Sequence, residues 1–185
     1  MKVEFYKHNL GNEEIEETVK VLQSLFLTTG KYVDNFEEDL AAYLDTNYAV
    51  GLTSCTAALH LALLSAGVGS GDEVITTPMS FVATTNSICM TGGRPVFVDV
   101  EKDTGNIDID LIEKTITKKT KAILPVHLYG QMTDMKKLLS LAKKYKLSVI
   151  EDSAHALEAK RDGIKPGQKS YGACFSFYAT KSITS

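Results

Sequence analysis

KAILPVHLYGQMTDMKKLLSLAKKYKLSVIEDSAH, residues 121–155, decides the fold. Its two ends, KAILPV (121–126) and LSVIED (147–152), are short apolar runs without polar alternation, the pattern of strands buried on both faces. Between them MTDMKKLLSLAKKYK carries apolar residues at helical spacing and ends in a cationic turn. A strand, a helix and a second strand in that order form a parallel pair with a helical crossover. The same alternation continues upstream through EVITT (73–77), a helical FVATTNSICM, RPVFVDV (94–100) and a helical DIDLIEKTI. Downstream, ACFSF (173–177) supplies a further strand. YAVGL (48–52) also reads as a strand, followed by the helix TAALHLALLSAG, which Gly67 caps in a left-handed conformation. The expected fold class is α/β, a mostly parallel sheet covered on both faces in a three-layer sandwich. Residues 1–45, with NEEIEETVKVLQSLF and DNFEEDLAAYL, are expected to form an N-terminal helical arm beside a larger domain over 46–185.

Composition narrows the class of function. A chain of 185 residues with 44% apolar content has enough material for a core. Its formal charge of −3 gives no electrostatic reason to expect nucleic acid or an anionic membrane as partner. Cys55, Cys89 and Cys174 show neither CxxC spacing nor a neighbouring His/Cys set, which argues against a disulfide framework and a metal site and for a reducing cytoplasm. The start, MKVEFYKHNL, has no apolar core of the kind a secretory signal needs. Tyr48 to Gly71 is free of charge, but it holds four glycines, several hydroxyl residues and His60, and reads as buried structure rather than a membrane span.

In open parallel sheets ligands bind beyond the carboxyl ends of the strands. Here those ends gather Thr53–Thr56, Pro78–Phe81, His127–Gln131, Asp152–His155 and Tyr178–Lys181. Lys181 closes the run FSFYATK, and Asp152 closes the strand of VIEDSAH. A lysine amine that can carry an aldehyde, with an aspartate that can keep a pyridine nitrogen protonated, is the pair that pyridoxal 5′-phosphate (PLP) chemistry requires. Taken singly, each residue also has a plainer reading: Lys181 as a surface lysine, Asp152 as a helix or loop cap. His155 is placed to touch the ring oxygen or support Asp152, and equally to be an ordinary hydrogen-bonded histidine. The turn TSCTAAL precedes a helix, so the first amides at Cys55 and Thr56 suit a phosphate, with hydroxyls from Ser54, Thr56 and Ser176. Ser54 as the helix N-cap is compatible with that role. Phe81 is either a ring-stacking aromatic or a core residue. Cys55 reads as a small packing residue. No GxGxxG or GxxxxGK[ST] occurs, so a dinucleotide site and a P-loop have no support.

Taken together, LTTGKYVDNFEEDLAAYL, SCTAALHLAL, TTPMSFVATTNSI, GGRPVFVDV, KTKAILPVHLYGQ, EDSAHALEA and ACFSFYATK resemble, in order, the DegT/DnrJ type of sugar aminotransferase. The resemblance implies the aspartate aminotransferase-like large domain of fold type I PLP enzymes. It implies that Lys181 carries the cofactor and moves the proton, that Asp152 pairs with the pyridine nitrogen, and that His155 lies near the ring. Ser54, Cys55, Thr56 and Ser176 match the phosphate-binding positions, and Phe81 matches the aromatic on the ring face. Thr28, Thr29 and Gly30 fall where the family's N-terminal segment approaches substrate. A sister group of sugar dehydratases has His at the lysine position, so Lys181 speaks for transamination. Many relatives have Gly where Cys55 stands.

The implied reaction transfers an amino group, usually from glutamate, to a keto group of a nucleotide-linked sugar in amino-sugar or cell-surface polysaccharide synthesis. The implied partners are those small molecules and a second copy of the chain in a homodimer. Family members are about twice as long, so the match is to their N-terminal half, with an incomplete large domain and no C-terminal domain. The alternative is a non-catalytic module of the same fold. A PLP enzyme of this fold acting on amino acids is a further possibility.

Overall fold

The computed structural model describes residues 8–28 and 30–184. The chain divides into two compact units, one running up to Gly51 and resuming at Phe177, the other spanning Leu52–Ser176.

Among its described residues the smaller unit contains two helices. Helix α1 (Asn12–Leu22) places Glu13 and Glu14 in its first turn and Lys20 in its last, matching its charges to the helix dipole. The Gly11 amide donates to the Glu14 carboxylate at 2.6 Å, the returning half of a capping box. Helix α2 (Lys31–Leu44) starts from Gly30, whose φ of 133° is open only to glycine. Two contacts tie α2 to its unit. The Gly51 amide donates to the Glu37 carboxylate at 2.6 Å, and the rings of Phe36 and Phe177 meet edge to face at 5.1 Å.

Residues 48–52, expected as a strand, are not one. Tyr48 and Val50 point to solvent, and the Gly51 amide goes to a side chain on α2. An apolar run becomes a strand only where a neighbour takes its backbone groups.

The larger unit is a five-stranded sheet with helices on both faces. Its elements are α3 (Cys55–Ser65), β1 (Glu73–Thr76), α4 (Val82–Met90), β2 (Arg94–Phe97), α5 (Ile109–Ile112), β3 (Thr120–Ile123), α6 (Met135–Tyr145), β4 (Ser148–Asp152) and β5 (Gly172–Cys174). The strand order is β2–β1–β3–β4–β5 and every ladder is parallel. The last strand is shorter than expected and ends at Cys174, leaving Ser176 beyond the ladder.

Strand alternation sorts the core into two layers. Ile75, Ile123 and Val149 face a cluster with Ile109 and Ile112 of α5 and Met135, Leu138 and Ala142 of α6. Val74, Ala122, Leu124 and Ile150 face the opposite cluster, with Leu59 and Leu63 of α3 and Ile88 of α4. Burial on both faces accounts for the unbroken apolar runs in the sequence. Helix α3 ends as its glycine predicts. Gly67, at φ 79°, donates to the Leu64 carbonyl and Val68 to that of Leu63, a Schellman closure in which Val68 and Leu63 share the core.

At the opposite edge from the candidate site, one carboxylate joins three strands. Glu73 opens β1, is buried, and accepts from Arg94 of β2 at 2.5 Å and from Thr117 before β3 at 2.7 Å. The Thr117 and Arg94 hydrogen bonds hold its pKa below the ordinary glutamate value, against the opposing effect of burial. A lowered native pKa stabilises the fold above the unfolded value near ~4.3 and ceases to do so as pH falls through the native one. Urea denaturation is therefore expected to show Glu73→Gln less stable than wild type at pH 7. The gap should begin to narrow as pH drops through about 4.3 and close below the native value.

Candidate functional site

The carboxyl edge of the sheet is where the sequence-predicted residues of the larger unit gather. Asp152 is the last residue of β4, Phe81 leads from β1 into α4, and Ser176 follows β5. All the strands are parallel, so these three positions share one edge. Helix α3 leads by way of Gly67–Gly71 to the start of β1, so its own N-terminus, with Ser54, Cys55 and Thr56, lies at that edge too. His155 sits in the turn after β4.

Asp152 is the best-defined member. It is 5% exposed, and both carboxylate oxygens are engaged. Oδ2 accepts from the Thr84 hydroxyl at 2.6 Å and Oδ1 from the Ala154 amide at 3.2 Å. Thr84 spends its proton on Asp152, so the hydroxyl of Ser80, 2.5 Å from Thr84 Oγ1, donates to it in turn. Ser80 to Thr84 to Asp152 is thus a directed chain of donors ending on a carboxylate. Donors aimed at both oxygens fix the rotamer of the buried carboxylate. The backbone is equally fixed: the Asp152 amide donates to the Pro125 carbonyl, and its own carbonyl accepts from His127.

At the start of α3, Ser54 caps the helix and its hydroxyl accepts from the Ala57 amide at 3.1 Å. Helix α3 has eleven residues, and the amides of its first turn have no intrahelical acceptor, which makes its N-terminus suited to an anion. The Cys55 side chain packs against the cluster of Leu59 and Leu63, the packing role its size suggested, while its amide opens the first turn of α3. Phe81 is the N-cap of α4 and is 76% exposed, so its ring is a surface feature and not part of the core. A stacking face and an apolar anchor are the uses of such a ring.

His155 lies in ring contact with Tyr129, their planes 4° apart and centroids at 5.6 Å. Tyr129 adopts φ 52° and ψ 31°, a left-handed conformation that costs a residue bearing a β-carbon about 1–2 kcal/mol.

Lys181 belongs to the smaller unit. It is half-buried, and its amide donates to the Tyr178 carbonyl at 2.8 Å, so it closes a turn. Thr28 and Gly30 are also in that unit, and Thr29 lies outside the described residues.

Sequence reasoning missed Thr84 and Ser80. The available signal was helical period: Thr84, Ser87 and Ile88 share the buried face of α4, and a polar residue on such a face needs a partner. It also missed the second acid. Glu151 is buried with His127, Nε2 to Oε2 at 2.6 Å, and its Oε1 accepts from the Gly167 amide at 2.9 Å and from the Ser170 hydroxyl. His127 Nδ1 accepts from the Thr133 amide at 3.2 Å, so the imidazole carries its proton on Nε2 and donates it to Glu151. Among the described residues no group of three or more His, Cys, Asp or Glu side chains is placed to hold a metal ion. No helix among them is long and apolar enough to cross a membrane.

Two outcomes follow from this geometry. Thr84→Val keeps the shape and removes the donor from a buried carboxylate, so stability in urea should fall by about 1–3 kcal/mol, with Thr84→Ser restoring most of it. The Cys174 thiol, beside Asp152 in the β4–β5 ladder, is pushed up to about 12, first by burial and then by the charges of Asp152 and Glu151. A thiol-labelling time course at pH 8 should therefore modify exposed Cys89 in the native protein and reach Cys174 only after denaturation.

Comparison with known proteins places these features in a wider group. The model of the DegT/DnrJ/EryC1/StrS aminotransferase family matches residues 8–185. The spore coat polysaccharide biosynthesis protein SpsC of Bacillus subtilis is 44% identical over 174 residues, covering 94% of this chain and 45% of that protein. The UDP-4-amino-4-deoxy-L-arabinose–oxoglutarate aminotransferase of Shewanella sediminis is 42% identical over 176 residues, covering 95% of this chain and 45% of its own. The chain thus spans about half the length of the curated relatives it matches. Among solved structures, the sugar aminotransferase Spr1654 of Streptococcus pneumoniae, described as putative and solved in PMP and PLP forms, superposes with a TM-score of 0.95 at 36% identity. That match covers 100% of this chain and 50% of the PMP-form chain.

Proposed function

The chain belongs to the DegT/DnrJ/EryC1/StrS aminotransferase family, and from that premise we propose that it is the cofactor-binding part of a PLP-dependent sugar aminotransferase. The reaction moves an amino group, with glutamate as donor, to a keto carbon of a nucleotide-linked sugar in polysaccharide or other amino-sugar biosynthesis. The observation that carries this reading is Asp152: a buried carboxylate, donated to on both oxygens, at the carboxyl edge of a parallel sheet.

The donor set fits the cofactor. A buried Asp152 carboxylate oriented by two donors matches a protonated pyridine nitrogen. The first turn of α3 and the hydroxyls of Ser54, Thr56 and Ser176 match a phosphate, and exposed Phe81 offers a face for the ring. When bound, PLP supplies the aldehyde that receives the amino group and a ring that draws electron density from the reacting carbon. This chain's residues do the rest. The Lys181 amine would hold the cofactor and would serve as the group that accepts and returns the proton. Asp152 would pair with the ring nitrogen, and His155 would help to orient the ring. We assign Thr28, Thr29 and Gly30 to the approach of substrate and the active species to a homodimer. Three cysteines, none of them in a disulfide among the described residues, are consistent with work in the cytoplasm.

The test is covalent. The protein is incubated with PLP, reduced with borohydride, digested and mapped. A visible absorbance band and a single reduced adduct on Lys181, both lost in Lys181→Ala, are the expected result. Adducts scattered over surface lysines, or a spectrum unchanged in Lys181→Ala, overturn it. Excess glutamate should then bleach the band, and a nucleotide-linked keto sugar should restore it.

A further inference from the structure

We propose that Tyr129 is a positioning residue whose ring, held in a strained turn, fixes the imidazole of His155. The role assigned to His155 rests on the reading above, while the positioning itself is a property of this chain alone.

Three observations converge. First, the two rings lie within 4° of parallel at 5.6 Å, an offset stack. Second, Tyr129 holds a left-handed backbone at φ 52° although its ring is 80% exposed, so no core packing repays the strain. Gly130 follows at φ 86°, and a β-carbon there would stand 3.1 Å from the His155 carbonyl, so the turn leaves little room beside the same histidine. Third, the turn is braced from both sides. His127 before it is locked by Glu151 and the Thr133 amide. Buried Asn106 accepts from the Leu128 amide at 3.1 Å and donates to the Gln131 carbonyl at 2.8 Å. The Gln131 side chain in turn donates to the Thr104 carbonyl at 2.8 Å. A conformation this unfavourable for tyrosine persists where surrounding bonds impose it, and the feature those bonds deliver is the ring against His155.

The geometry makes opposite demands on stability and function, which is what the experiment reads. Asparagine tolerates the left-handed region and lacks the ring; phenylalanine keeps the ring. Three quantities are compared in wild type, Tyr129→Phe and Tyr129→Asn: the thermal midpoint, the NMR signals of the His155 imidazole in cofactor-free protein, and the Kd for PLP. Tyr129→Phe should match wild type in all three. Tyr129→Asn should melt at or above wild type, shift the His155 signals as the stacked ring is lost, and bind PLP about three- to tenfold more weakly. In a His155→Ala background, Tyr129→Asn should add no further loss of PLP affinity.

Unchanged His155 signals in Tyr129→Asn overturn the proposal, as does a lowered midpoint accompanying the weaker binding, which would make Tyr129 a packing residue. Wild-type protein that takes up no PLP would sink the functional reading instead, and the His155 signals would still decide this one.

Discussion

Two adjacent carboxylates at the end of one strand have to be accommodated inside the protein. Glu151 and Asp152 are both buried, and strand alternation turns them to opposite sides of the sheet. An ionised group taken out of water is tolerated only with donors around it. Each acid therefore recruits its own set, and the loops of the carboxyl edge are organised by that requirement. Glu151 gathers His127, Gly167 and Ser170, tying the segment after β3 to the one before β5. Asp152 gathers Thr84, Ala154 and, through Thr84, Ser80, tying α4 to β4. The division of labour is legible in the partners. Glu151 is enclosed by three donors, one of them a histidine, as a structural anchor is; Asp152 is held on two sides at the edge where ligands approach a parallel sheet.

Most of the fold was legible because burial on both faces writes itself into sequence. Strands such as AIL and VIE, and helices with apolar residues three and four apart, leave few arrangements other than a covered parallel sheet. Gly67 gave the end of α3 correctly because only glycine takes φ 79° without steric cost. The failure at 48–52 has the opposite cause. Composition reports what a segment would tolerate, and its partner is settled by tertiary structure, here the Glu37 side chain.

At the site, the residues with distinctive chemistry were readable and their supports were not. Asp152, Ser54 and Phe81 stand at element ends, where local signals are strongest. Thr84 lies in the middle of a helix, 68 positions from the acid it serves. Nothing local marks that pairing beyond a hydroxyl on a buried face. Tyr129 was harder still, since a left-handed tyrosine carries no compositional mark and an exposed aromatic ordinarily needs no explanation. Supports act through geometry, and geometry is what a linear sequence expresses least directly.

The two supports also differ in physical kind. Thr84 acts on Asp152 by donating to a charge, an effect that strengthens in a low-dielectric setting and survives small shifts of position. Tyr129 acts on His155 through contact between ring faces, which is weak per contact and has no charge to draw the partner in. Such a contact orients an imidazole only if its own position is fixed in advance. The bracing by Asn106, Gln131 and the His127–Glu151 pair supplies that fixity. Glu151 therefore influences the carboxyl edge twice, by spacing the loops and by holding the turn from which Tyr129 projects. Its burial beside Asp152 couples an anchor on one face of the sheet to the orientation of a histidine that follows β4.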